Sequence, residues 1–91
     1  MLFHLTTRDA WATARAAGHY TTDGPFIHLS TERQWPGVRE RFYRDVADLL
    51  LLAIDDTKLA SEVRYEPADG DSFPHLYGPL NLDAVVSATP L

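Results

Sequence analysis

Asp48-Leu49-Leu50-Leu51-Leu52-Ala53-Ile54 is the longest apolar run in the chain, and its reading decides the fold. A continuous apolar stretch of this length, flanked by aspartates, predicts a central strand buried within the structure. It falls well short of the ~20 apolar residues that a membrane-spanning helix requires.

Working back toward the N-terminus, Pro36 cannot sit inside a helix, so the spacing predicts a turn over Thr31–Trp35 and a helix from Pro36 to Arg44. Val38 and Phe42 face inward there, with Trp35 packed nearby. Phe26 to Leu29 reads as a strand, preceded by a turn at Thr21–Pro25 that contains Asp23-Gly24-Pro25. Thr7 is an N-cap with Asp9 in the first turn, and Gly18 supplies the left-handed stop of that helix. Leu2 to Thr6 is a first short strand.

Toward the C-terminus, Asp55 to Leu59 reads as a helical turn capped by aspartate. Val63 to Glu66 alternates as a strand and is closed by Pro67, and Ala68 to Ser72 is a polar loop. Phe73 to Tyr77 is a short strand ended by Gly78-Pro79. Ala84 to Thr89 is a β-branched strand expected inside the sheet. Six short strands and two or three helices make an α+β domain spanning residues 1–91.

Composition narrows the class. The 91 residues suit one domain, and 45% apolar with 11% aromatic residues belongs to a folded globular chain. Net charge is −5. Arg33, Arg39, Arg41 and Arg44 are interleaved with Glu32, Glu40 and Asp45, which reads as a solvated helix face with paired charges. A phosphate-tracking basic surface is absent, so nucleic acid is not an expected partner. There is no cysteine, which removes disulfides, thiolate nucleophiles and Cys-based zinc sites. Met1-Leu2-Phe3-His4 lacks the blocks of a signal peptide, so a soluble cytoplasmic protein of bacterial type is expected, away from membranes. No exposed heptad or apolar stripe appears, and the oligomeric state stays open.

The chemistry-bearing pattern is a repeated histidine phrase. Phe3-His4-Leu5-Thr6-Thr7, Ile27-His28-Leu29-Ser30-Thr31 and Pro74-His75-Leu76-Tyr77-Gly78 each set histidine between an apolar residue and leucine. Histidine alone among side chains titrates unperturbed near neutrality, and it can donate, accept or ligate. Strand alternation places His4 with Leu2 and Thr6, and His28 with Phe26 and Ser30. If those strands are neighbours, both imidazoles and both hydroxyls line one patch, with Phe3, Leu5, Ile27 and Leu29 covering the other face. His75 and Tyr77 alternate onto one face inside a frame of proline and glycine. Glu66 is the carboxylate best placed to point into a cleft. The competing reading makes each histidine a core residue satisfied by one backbone carbonyl, Tyr77 a packed turn residue and Glu66 a surface acid.

Three histidines could form an open catalytic zinc site, but neither H-x-x-x-H nor H-x-H spacing occurs, and no metal is expected. Gly-x-Gly-x-x-Gly, P-loop and Gly-x-Ser-x-Gly motifs are all missing. Nothing specific points to a serine triad built on Ser30.

The three phrases, with Phe73-Pro74-His75-Leu76-Tyr77-Gly78-Pro79-Leu80-Asn81-Leu82-Asp83-Ala84-Val85-Val86 the most specific, resemble the domain of unknown function 952 family over nearly the whole chain. That family looks related to the ADP-ribosyltransferase superfamily. The likeness implies a small split mixed sheet with NAD, as substrate, held in a cleft between two small sheets. His4 with Thr6 is similar to a first motif that holds a ribose, and His28 with Ser30 to a second that packs on nicotinamide. His75 and Tyr77 would line the same pocket. A late catalytic Glu has no clear match, and Glu66 is the convenient acid. The implied roles are therefore catalytic for His28 and Glu66, and cofactor-binding for His4, Thr6, Ser30, His75 and Tyr77. An ADP-ribosyl- or phosphotransferase-like enzyme acting on a small-molecule or nucleotide ligand is expected. The alternative is a non-catalytic ligand- or protein-binding module on the same fold.

Overall fold

Leu49–Ile54 lies between two partner strands in an antiparallel sheet, as its unbroken apolar run predicts. The computed structural model describes residues 1–91. In chain order the elements are β1 (Leu2–Thr7), α1 (Arg8–Ala17), β2 (His19–Tyr20), β3 (Ile27–His28), α2 (Trp35–Phe42), β4 (Leu49–Ile54), β5 (Glu62–Ala68), β6 (Asp71–Tyr77), β7 (Leu80–Asn81) and β8 (Val85–Pro90). Single 3-10 turns cover Asp56–Lys58 and Leu82–Ala84.

The strands form two three-stranded sheets, ordered β1-β4-β8 and β3-β6-β5, and a small β2-β7 ribbon. Phe3 and Ser30 exchange both backbone hydrogen bonds at 2.8 Å, joining β1 to the residue that follows β3 by two positions. The two sheets therefore meet at that one bridge. The α+β class and the split sheet stand, but every pairing is antiparallel, which corrects the mixed sheet. Eight strands replace the six expected, because β2 and β7 are only two residues each and carry no periodicity.

Local chemistry sets the helix ends. The Thr7 hydroxyl accepts the Ala10 amide at 3.1 Å, and Gly18 at φ 87 donates its amide to the Ala14 carbonyl. At α2 the clamp is Gln34, which is buried although polar. Its Oε1 accepts the Thr31 amide, while its Nε2 donates to Asp71 and to the Ser72 carbonyl. All three functions of the amide are satisfied, so its burial is tolerated.

Two expectations fail at the edges. Ala68–Ser72 is not a loop. Strands β5 and β6 continue to a tight hairpin in which Asp69 (φ 51) and Gly70 (φ 77) take the two left-handed positions. Pro67 lies within β5, tolerated because β5 is the outermost strand of its sheet. Strand β8 is likewise an outer strand, not an interior one, with Val86 62% exposed. The core lies under β4, where Leu52 and Ile54 are fully buried against Leu2, Leu29, Leu76, Leu80 and Ala14. Each such leucine contributes roughly 2 kcal/mol on leaving water.

Candidate functional site

The Phe3–Ser30 bridge fixes which way every histidine points. Residues directly opposite one another on paired strands share a face. Phe3 and Leu5 therefore fall on the side of Ser30 and His28, whereas His4 and Thr6 fall with Leu29 and Ile27. The expected patch carrying both imidazoles does not exist. His4 and His28 occupy opposite faces, because the register is one residue away from the one that would align them.

His4 belongs to a closed buried chain. Its Nδ1 lies 2.6 Å from the His28 carbonyl, which can only accept, so Nδ1 carries the proton. Its Nε2, 2.9 Å from the Tyr20 hydroxyl, must then accept from Tyr20. The Tyr20 oxygen in turn takes the Thr6 hydroxyl proton, also over 2.9 Å. Burial lowers the His4 pKa to about 4, only partly opposed by the bond to the carbonyl. His4 reaches the wall of the cavity described below, but both ring nitrogens and the Thr6 hydroxyl are already committed.

The opposite face gathers the remaining candidates. His28 and His75 are register partners, with ring centroids 5.3 Å apart and planes near perpendicular. Phe26 stacks on His75 at 3.9 Å and meets His28 edge-on at 4.8 Å. On β5, Glu66 reaches across the sheet. Its Oε1 accepts the Tyr77 hydroxyl at 2.5 Å and His75 Nδ1–H at 2.8 Å, while Oε2 receives no hydrogen bond. Those two donors, Tyr77 first, hold the Glu66 carboxyl below the usual carboxylate range. The same bond, which only the protonated phenol can make, raises the Tyr77 phenol pKa, and Arg64 sits 4.3 Å from that ring's centre. Burial, then the neighbouring His75, lowers the His28 pKa. His75 Nε2 is buried and has no hydrogen-bond partner.

A cavity of about 310 Å³ opens between this strand face and α2. Leu5, Leu29 and Phe73 line its strand side; Val38, Phe42 and Tyr43 line the helix side. The polar groups on its wall include Ser30, His28 and His75. The Ser30 hydroxyl, the His28 ring nitrogens and the Tyr43 hydroxyl have no protein hydrogen-bond partner. Of the sequence candidates, the structure brings His4, His28, Ser30 and His75 to this cavity, His4 with both ring nitrogens already bonded within the protein. Glu66 and Tyr77 stand behind His75, and Thr6 turns away into the core. Tyr43 was not among the candidates. The helix pattern points to Val38 and Phe42, both of which line the cavity, and Tyr43 joins them only because α2 ends there. No three His, Asp or Glu side chains assemble into a group that could hold a metal ion. Neither helix is long and apolar enough to cross a membrane.

A family model described as "Protein of unknown function (DUF952)" matches residues 5–88. The chain belongs to the DUF952 family. Its fold is shared by the crystal structure of protein CC0527 from Caulobacter crescentus, with a TM-score of 0.90 at 30% identity, covering 99% of this chain and 84% of that one. A double methionine variant of CC0527 matches equally well in shape, at 29% identity with 99% and 84% coverage. The solution structure of CC0527 superposes with a TM-score of 0.84 at 30% identity, covering 99% and 83%. No curated protein matches this DUF952 chain.

Proposed function

We propose that this domain binds a small ring-bearing ligand of the nucleotide or nicotinamide class in the cavity between α2 and the histidine face. One observation carries the reading. The hydrogen-bonding groups left without protein partners, at Ser30, His28, His75 and Tyr43, gather around one largely apolar cavity. Of these, His75 Nε2 is buried without a partner, while His28 is exposed and Tyr43 half-buried, so a ligand would satisfy the first and replace water at the others. The volume lies at the low end of ligand cavities, roughly 300–1,000 Å³, so it suits the ring portion of NAD and not an entire dinucleotide.

A catalytic version has its own support in the Glu66–His75 pair. With Nδ1–H given to Glu66, His75 presents a lone pair at Nε2, the arrangement of an oriented general base. The unbonded Glu66 Oε2 could accept a ribose hydroxyl, as an ADP-ribosyl transfer would need. Against it, His4 and Thr6, which that chemistry would place on the ligand, are spent within the core. Binding without turnover is therefore the better-supported reading.

Imidazole NMR during titration with NAD, ADP-ribose and nicotinamide tests both. Binding shifts the His28 and His75 signals and leaves His4 unmoved. Absence of binding by all three up to millimolar concentration removes the proposal. Nicotinamide release from NAD that Glu66→Gln abolishes, with binding retained, would instead establish the catalytic version.

A further inference from the structure

We infer that Phe42 and Tyr43 form a clamp for an uncharged planar heteroaromatic ring, and that the Tyr43 hydroxyl selects among such rings. The inference rests on the binding reading above and narrows its ligand class. Helix α2 buries none of its residues, so its inner face is not committed to the protein's own core. Phe42 is 59% exposed although it lines the cavity. An aromatic ring kept in contact with water beside an apolar hollow is poised to cover a ligand. Tyr43 follows at the helix C-cap, where its amide donates to the Arg39 carbonyl at 3.0 Å. That bond fixes the backbone from which the phenol projects. Burial raises the Tyr43 phenol, which keeps its proton available for donation.

Charge selects the ring. No lysine or arginine lines the cavity, and its one carboxylate, Asp69, already pairs with Arg41 at 3.5 Å. A phosphate placed inside would lack a counter-ion, and burying an unpaired charge is prohibitive. The hydroxyls of Ser30 and Tyr43 can each donate or accept, whereas His75 Nε2 requires a donor when His75 gives its Nδ1–H to Glu66. The matching ligand is a flat, neutral ring carrying both donor and acceptor edges, such as a nucleobase or a pyridine carboxamide. Any phosphates it bears stay outside.

Calorimetric titration of wild type, Phe42→Ala and Tyr43→Phe with adenine, adenosine, AMP and nicotinamide tests the clamp. At least one of the uncharged compounds binds wild type, and AMP binds no more tightly than adenosine. Each substitution weakens binding about tenfold, the loss expected for one hydrogen bond or one ring contact. Tyr43→Phe removes a hydroxyl that has no protein partner, so folding is preserved, and an unchanged thermal melt verifies that. Wild-type affinity in both variants, or AMP at least tenfold tighter than adenosine, overturns the clamp while leaving the binding reading intact. Failure of every compound to bind wild type removes the binding reading, and the clamp with it.

Discussion

His4 and His75 occupy nearly identical phrases and are about equally buried, at 6% and 4% exposure, yet they do opposite work. Around His4 every hydrogen-bonding atom has a partner, from the Thr6 hydroxyl through Tyr20 to the His28 carbonyl. Around His75 one nitrogen is fixed by Glu66 and the other has none. A satisfied buried network stiffens a core, whereas a half-satisfied one is a standing cost unless a ligand relieves it. The contrast separates a histidine that holds the fold from one that is available to a partner.

The largest effect that would sharpen this contrast is at His4. His4→Ala removes two hydrogen bonds, leaves the His28 carbonyl without its imidazole donor and the Tyr20 hydroxyl with Thr6 alone, and opens a cavity, for a loss of about 4 kcal/mol in unfolding free energy. Urea denaturation reads it, and a loss below about 1 kcal/mol would mean that the buried chain contributes little. Acid comes next. The His4 pKa is lower in the folded state, so the folded chain binds fewer protons than the unfolded one below neutrality. Stability present above about pH 6.5 is lost as pH falls toward about 4, by roughly 3 kcal/mol from this group. A tyrosine at position 20 that stays buried through this range, followed by fluorescence against urea midpoints, would contradict the assignment if midpoints failed to fall. The smallest effect is at His28. Its ring makes no hydrogen bond, so His28→Ala changes stability by less than about 0.5 kcal/mol while weakening ligand binding. An equal loss at His28 and His4 would dissolve the distinction between the two faces.

Much of this was legible in the residues. The run Leu49–Ile54 announced a central strand, and Thr7 with Gly18 marked both ends of α1 because capping is local chemistry. The grouping of His75 with Tyr77 on one face followed from alternation alone. The placement of His4 did not, because alternation gives the face within a strand and says nothing of the register between strands. That register depends on the Phe3–Ser30 bridge, a contact across 27 positions of sequence that no local pattern encodes. Tyr43 escaped for a related reason. It enters the cavity through the packing of a helix end against a sheet, not through any motif. Glu66 was singled out as the acid facing the cleft; it stands instead one residue back, holding His75 in place.

Of the four outer strands of the two sheets, β1 and the segment after β3 meet at the Phe3–Ser30 bridge, and the two on the far sides, β5 and β8, each contain a proline, Pro67 and Pro90. An exposed strand edge is a template on which another chain can polymerise, and proline interrupts its row of amide donors. The far margins of both sheets are thus interrupted, which works against growth by edge-to-edge strand addition there.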